Sequence, residues 1–374
     1  MDTQAKLQML ADASRYDLAC SCGTNKEEHR RRGQDGMWLY PVTLPSGGQS
    51  ILLKTLVSNS CVNDCRYCPL RNGRDIPRCT LGSDEIARVF MGYVQRIGIH
   101  GIFLSSGVLG DADSTMDRMN AVARILRGKF QYRGYIHLKI LPGASEEAIR
   151  DSLSLASAVS LNIEAPTRST FQQLSRKKDY DCDIVGPIKR ISELTSPGSQ
   201  FEKVKQTTQF IVGASNETDS QLVRATYGLY KRLHFNRVYY SAYQRGAGDP
   251  AIPGEQSCSP SGDELLTREH RLYQADWLIR KYGFGDDEIP FGQDGNLSLA
   301  ADPKKIWADR HSERFPININ RADRFELLRV PGFGLITVRR ILELRRNHGR
   351  IWSLESLGLK GKRLAAARTY VKIA

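Results

Sequence analysis

Between residues 51 and 243 the chain alternates two rhythms. Strand-like segments rich in apolar, β-branched and aromatic residues at 51–57, 99–104, 135–141, 159–163, 207–212 and 237–243 are five to seven residues long. That length suits a buried strand rather than a helix. The intervening stretches at 83–96, 114–127, 145–155, 169–177, 184–194 and 219–233 space their apolar residues three and four apart. This is the pattern of helices with one buried stripe. Ser83 is placed to cap the first of these helices, and Gly98 to end it. Parallel strands need long crossovers, and helices supply them. The alternation therefore predicts an α/β fold of six parallel strands covered by helices.

Outside that region the pattern is simpler. Residues 3–13 read as a helix, 26–32 as a polar, Arg-rich segment, and 45–48 (Pro-Ser-Gly-Gly) as a turn. Residues 246–262 read as a loop and 267–281 as a helix. Residues 283–315, with Pro290, Gly292, Gly295 and Pro303, read as an irregular connector. The expected parts are an N-terminal extension (1–48), the α/β region (49–282), the connector (283–315) and a terminal module (316–374).

Composition narrows the partners. Forty per cent hydrophobic residues is ordinary for a globular protein of 374 residues. No apolar run approaches the roughly 20 residues that span a bilayer, and residues 1–11 lack a signal pattern, so a cytoplasmic location is expected. The net charge of +13 is unevenly placed. Residues 316–374 hold 13 Lys and Arg against 4 Asp and Glu, a net +9, leaving +4 for the rest. A basic terminal module points to a polyanion, most simply nucleic acid, although a solvated basic face would have the same composition.

The chemistry gathers at Asn59-Ser60-Cys61-Val62-Asn63-Asp64-Cys65-Arg66-Tyr67-Cys68-Pro69, directly after the first run. Cys61, Cys65 and Cys68 can supply three thiolates to a [4Fe–4S] cluster, leaving one iron without a protein ligand. Structural zinc is the alternative, but its four ligands commonly come from two knuckles, and no second Cys-x2-Cys pair exists here. A disulfide fits less well in a long chain without a secretory signal. The other cysteines are Cys20, Cys22, Cys79, Cys182 and Cys258. Any of them could donate hydrogen to a substrate radical or ligate an auxiliary cluster, though four well-spaced thiolates are not evident.

This Cys-x3-Cys-x-aromatic-Cys loop, with Tyr67 before the last cysteine, resembles the hallmark of the radical SAM family. The resemblance implies a partial (β/α)6 barrel, open on one side. It also implies a [4Fe–4S] cluster whose open iron chelates S-adenosylmethionine, and a 5′-deoxyadenosyl radical after reductive cleavage. An electron donor such as flavodoxin or ferredoxin is implied with it. The family's Gly-Gly-Glu position reads Ser105-Ser106-Gly107 here; the acidic residue is missing, so only backbone binding carries over. At the fourth strand end, Asn162 and Glu164 alternate with apolar neighbours and would share one face toward the cofactor, unless Lys139 or Arg168 pairs with the carboxylate. Gln209 to Glu217 resembles the family's Gly-x-Ile-x-Gly-x-x-Glu element, with Gln209 in place of the first glycine and one extra residue before Glu217: Ile211 and Gly213 would flank adenine, and Glu217 would anchor the turn. Tyr239, Tyr240 and Tyr243 on the sixth strand could serve a substrate, but packing is the more common role of such residues.

The terminal module resembles a helix-hairpin-helix fold, in a first copy at Phe325-Glu326-Leu327-Leu328-Arg329-Val330-Pro331-Gly332-Phe333-Gly334 and a looser one at 354–362. Helices would follow at 335–346 and 363–371, making a small all-α domain. Hairpin amides at a helix N-terminus suit a phosphate. Gly332, Gly334, Arg339, Arg340, Lys360, Gly361 and Lys362, with Arg345, Arg346 and Arg363, are the candidate nucleic-acid contacts. The combination resembles radical SAM proteins assigned to DNA modification or repair, among which association with a uracil-DNA glycosylase-like protein is an expectation of the family. The expected function is radical modification or repair of nucleic acid, DNA before RNA. Modification of tRNA and a non-catalytic DNA-binding redox sensor are the alternatives.

Overall fold

The apolar runs form strands in which alternate residues are fully buried. The computed structural model describes residues 1–14, 31–32, 38–43, 49–257, 260–347 and 349–373. Its main sheet contains β1 (Arg31–Arg32), β2 (Trp38–Thr43), β3 (Gln49–Leu56), β4 (Gly101–Ser105), β5 (Tyr135–Lys139), β6 (Ala158–Ser160), β7 (Lys205–Val212) and β8 (Arg237–Ala242), paired in chain order. β3 to β8 are parallel and joined by helices, the six-strand α/β pattern expected. β1 and β8 remain as edges, so the sheet is an open, partial barrel. Leu53, Ile102, Leu104, Ile136, Leu138, Val159, Phe210, Val212, Val238 and Tyr240 have 0% exposure. Within each strand they alternate with residues of the opposite face. Burial of each such side chain contributes about 1.5–3 kcal/mol.

Several boundaries differ from the sequence pattern. β2 was not anticipated, because Pro41 sits in its middle. β1 pairs only with Trp38 and Leu39, so Pro41 lies at an edge, where a missing N–H is tolerated. Ser83 is the first residue of helix Ser83–Ile97 rather than its cap. Gly82 occupies the cap position, and its amide donates to Glu85 Oε2 at 2.7 Å. Gly98 does end that helix, in the left-handed conformation. The next helix begins at Ala112, because Asp111 accepts from the Ser114 amide at 2.8 Å. The expected loop at 246–262 contains a short helix, Pro253–Gln256, and the following helix starts at Gly262.

The chain divides into two compact units. One comprises 1–217 and 228–269; the other comprises 218–227 and 270–374. The second contains helix Pro303–Arg310 within the stretch expected to be irregular. Asp302 caps it and Pro303 takes its first turn, a start signal that was overlooked. The terminal module is not all-α: β9 (Ile317–Asn318) pairs in parallel with β10 (Val371–Lys372). Its last helix accordingly stops at Arg368. Among the described residues no helix is long and apolar enough to cross a membrane. The turn at 45–48, most of the Arg-rich segment, and Cys20, Cys22 and Cys258 lie outside the described residues.

Candidate functional site

The cysteine loop leaves the C-terminal end of β3, the edge at which α/β folds gather their chemistry. Three arginines fix it. Arg78 donates to the carbonyls of Asn59, Leu70 (2.8 Å), Arg71 (3.1 Å) and Arg74 (3.1 Å). Arg71 donates to Cys68 O, Ala247 O and Gly248 O at 2.9–3.0 Å. Arg66 reaches Asp249 and Gln173 O, each at 3.2 Å. Asp64 accepts from Ser175 Oγ at 2.5 Å and from the Arg176 and Lys177 amides. Burial alone would raise the Asp64 carboxyl, but these donors outweigh it and hold its pKa below the ordinary value.

The three thiols are close enough for each to feel the others' charge. Burial pushes the Cys65 thiol up and the Cys68 thiol up to about 12, with neighbouring cysteines adding to both shifts. Thiols crowded in this way favour a cation that would take them as thiolates. Backbone amides already address the sulfurs: Val108 N–H lies 3.4 Å from Cys61 Sγ, and Leu70 N–H lies 3.4 Å from Cys68 Sγ. Among the described residues no three His, Cys, Asp or Glu side chains converge as a site for a metal ion. Zinc would draw thiolates to about 2.3 Å from one centre. A cluster spreads its cysteines over several irons, so the donor set fits a cluster better than a lone ion.

The neighbouring strand ends complete the pocket. Ser105 is buried, and Ser106 Oγ donates to Gly107 O at 2.7 Å. A Cβ at Gly107 would lie 2.2 Å from Ser60 O, so glycine lets the β4 turn press against the cysteine loop. Glu164 lies beside Tyr67 and Lys178. Its carboxylate engages the Tyr67 hydroxyl, whose pKa is driven well above normal by burial first and then by Glu164. Burial opposes the charge on Lys178, but Cys65 and Glu164 outweigh it and raise its pKa.

Asn162 and Glu164 are both buried, yet not as an alternating strand pair. β6 ends at Ser160, and Glu164 takes φ 64°, in the left-handed region. Its backbone is fixed there by bonds to Gln209 O and from the Ile211 amide, at 3.0 and 2.9 Å. The shared-face reading is therefore corrected. Arg168 pairs instead with Asp181. Ile211 is buried at the end of β7. Gly213 has φ 86°, and a Cβ there would meet Leu265 at 2.4 Å. Glu217 anchors this turn through the Gly213 amide (2.7 Å), Ser215 Oγ (2.6 Å) and Arg268 (3.2 Å).

The remaining candidates separate by surroundings. Cys79 Sγ lies 3.8 Å from Lys6 O, and its amide donates to Asn59 Oδ1. Cys182 is exposed. Tyr240 is fully buried and stacked near Phe210, and Tyr243 donates to Glu255. Tyr239 is half-buried. Arg66, Arg71, Arg78 and Lys178 were missed because nothing in their sequence spacing says which carbonyls or acids they reach. Only the Pro77-Arg78-Cys79 punctuation marks a fixed segment.

In the second unit, the first expected hairpin segment lies between two helices, and the second follows only a short 3-10 turn, Glu355–Leu357. Helix Arg324–Arg329 leads through Pro331 and Gly332 to helix Leu335–Arg346, and Gly358 and Gly361 lead into helix Gly361–Arg368. Neither later helix has a side-chain cap at its start. Arg339, Lys360, Gly361 and Lys362 are exposed. Gly332 is not displayed outward: at φ 85° a Cβ would lie 2.4 Å from Arg363 O. Arg340 and Arg345 are engaged within the module, donating to Leu357 O and to Ala322 O, each at 2.5 Å.

No family model matches the chain, and no curated protein matches it. Among solved structures it is similar to the FeFe-hydrogenase maturase HydG from Carboxydothermus hydrogenoformans, at 15% identity and TM-score 0.47, over 61% of this chain and 51% of that one. Methylornithine synthase PylB is similar at 14% identity and TM-score 0.47, over 60% and 62%. A radical SAM methyltransferase from Sphaerobacter thermophilus follows at 14% identity and TM-score 0.41, over 74% and 82%. The chain thus spans about half the length of the maturase.

Proposed function

We propose that the chain is a radical SAM enzyme acting on nucleic acid, with DNA as the preferred substrate. The observation that carries the reading is the clamped loop. It holds Cys61, Cys65 and Cys68 at the C-terminal edge of β3, flanked by the ends of β4, β6 and β7. In this reading the three cysteines hold a [4Fe–4S] cluster, which with S-adenosylmethionine supplies one-electron reductive cleavage and a carbon-centred radical.

The protein places and shields that chemistry. Gly107 lets the β4 turn lie against the loop, so the backbone of Ser105 to Gly107 can receive the methionyl end. Glu164, oriented by its left-handed backbone, and the buried Asn162 would supply polar groups to the cofactor. Ile211 and Gly213 offer an apolar, closely approachable edge to adenine. The barrel is assigned to residues 49–282, the connector to 283–315, and the nucleic-acid module to 316–374 with its net +9. There, the uncapped helix starts at Gly334 and Lys360 offer amides to phosphate, beside Arg339 and Lys362.

The test is anaerobic. The protein is reconstituted with iron and sulfide, reduced and given S-adenosylmethionine, and 5′-deoxyadenosine is quantified with and without duplex DNA. Formation that DNA stimulates is the expected result. Stimulation by tRNA instead would move the substrate to RNA. An intact cluster with no cleavage under any condition would overturn the enzyme and leave a redox sensor.

A further inference from the structure

A groove of about 930 Å³ lies entirely within the second unit, and the proposed function leaves it unused. Helix Gly262–Tyr282 supplies much of its wall, with Tyr273 and Trp277 one turn apart and Tyr282 at the helix end. Phe333 and Tyr370 line it as well. Gly332, Gly334, Ala365 and Ala366 add small residues that leave room between the aromatic side chains.

Two features separate this groove from a packing defect. Trp277 is 42% exposed although most large apolar side chains of the unit are buried. The Arg280 guanidinium lies 5.6 Å from the centroid of its ring. In addition, Lys304 is 7% exposed and lines the groove, donating to Phe333 O at 2.7 Å and lying 4.6 Å from the Tyr282 ring centroid. Burial lowers its pKa to about 7, only partly opposed by Asp302. Arg363 also lines the groove, as does Gly334 at the uncapped start of helix Leu335–Arg346.

We propose that this groove receives one unstacked nucleobase of a bound nucleic acid, with the phosphate of the same nucleotide held at Gly334 and Arg363. The proposal rests on the nucleic-acid reading above and deepens it. Every base has a π-face, so an aromatic wall accepts bases without selecting a sequence. The acidic lining residues do not defeat a phosphate at this end: Asp309 is paired with Lys305 at 2.6 Å, and Asp302 caps its own helix.

The experiment uses the full chain and two DNA probes, a fully paired duplex and the same duplex with a single-nucleotide bulge of 2-aminopurine. Expected are quenching of 2-aminopurine on binding and about tenfold tighter binding of the bulged probe. Trp277→Ala, at an exposed position, is expected to remove the quenching and the preference while keeping affinity for the paired duplex. Trp277→Phe is expected to restore both. Equal affinity for the two probes with unchanged 2-aminopurine emission would overturn the groove while leaving the nucleic-acid reading intact. No binding of either probe would overturn both.

Discussion

The cysteine loop and the terminal hairpins are both rich in arginine, and they use it in opposite ways. At the loop, Arg66, Arg71 and Arg78 turn toward backbone carbonyls and one carboxylate, so the charge shapes the chain. In the hairpin module, Arg339, Arg340, Lys360 and Lys362 are all exposed, but Arg340 and the half-buried Arg345 also donate to backbone carbonyls, as the loop arginines do. Net charge therefore overstates the cationic surface: part of the +9 holds the module together. A guanidinium's planar fork of five donors makes it an efficient staple, whichever job a sequence count assigns to it.

The comparison can be broken most sharply at Arg78. Arg78→Ala removes the guanidinium from four carbonyls, two of which keep a backbone donor, and hydrogen bonds to charged groups contribute about 1.5–3 kcal/mol each. Near-complete loss of bound iron after reconstitution is expected, read by iron analysis and cluster absorbance. Full iron content would show that the staple is dispensable. Gly107→Ala drives a Cβ into Ser60 O and is expected to cost about 1–3 kcal/mol by overpacking, with reduced cluster loading. An unchanged iron stoichiometry would remove close approach as the reason for glycine.

In the other region, Arg340→Ala is expected to lower stability by about 1–3 kcal/mol and to leave the salt dependence of DNA binding unaltered. Combined replacement of Arg339, Lys360 and Lys362 by Ala is expected to do the reverse. It should reduce the slope of log affinity against log salt by up to about 3, with little change in melting temperature. Identical behaviour of the two variants would erase the distinction.

Lys304 gives an effect that depends on pH, and its sign follows from linkage. Its folded pKa, about 7, lies below its ordinary value of 10.5. The unfolded chain therefore binds more protons between those limits, and stability due to this group rises with pH across that window. Lys304→Met is expected to flatten that rise between pH 7 and 10, read from urea midpoints at several pH values. A parallel shift at every pH would assign the effect to packing alone.

Much of this was legible in the sequence. Six strands and the helices between them followed from run length and spacing, and the cysteine loop followed from local chemistry. What escaped reading depended on partners distant in the chain. β2 was hidden by Pro41, which is harmless only because β1 is too short to reach it. Glu164 was placed by strand alternation, but a left-handed backbone held by β7 turns it toward Tyr67 and Lys178. The Asp302-Pro303 helix start was readable and was masked by the glycines around it.

The hydrogen-bonded scaffold of the cysteine loop has one more consequence. Arg78, Asp64 and Gly107 shape it through protein contacts, and on the proposed reading the cluster would fill a loop already held by them. Filling a preorganised loop requires little further ordering of the chain. A molecule stripped by oxygen should then keep its architecture and accept fresh iron and sulfide without refolding, which makes damage at this centre repairable.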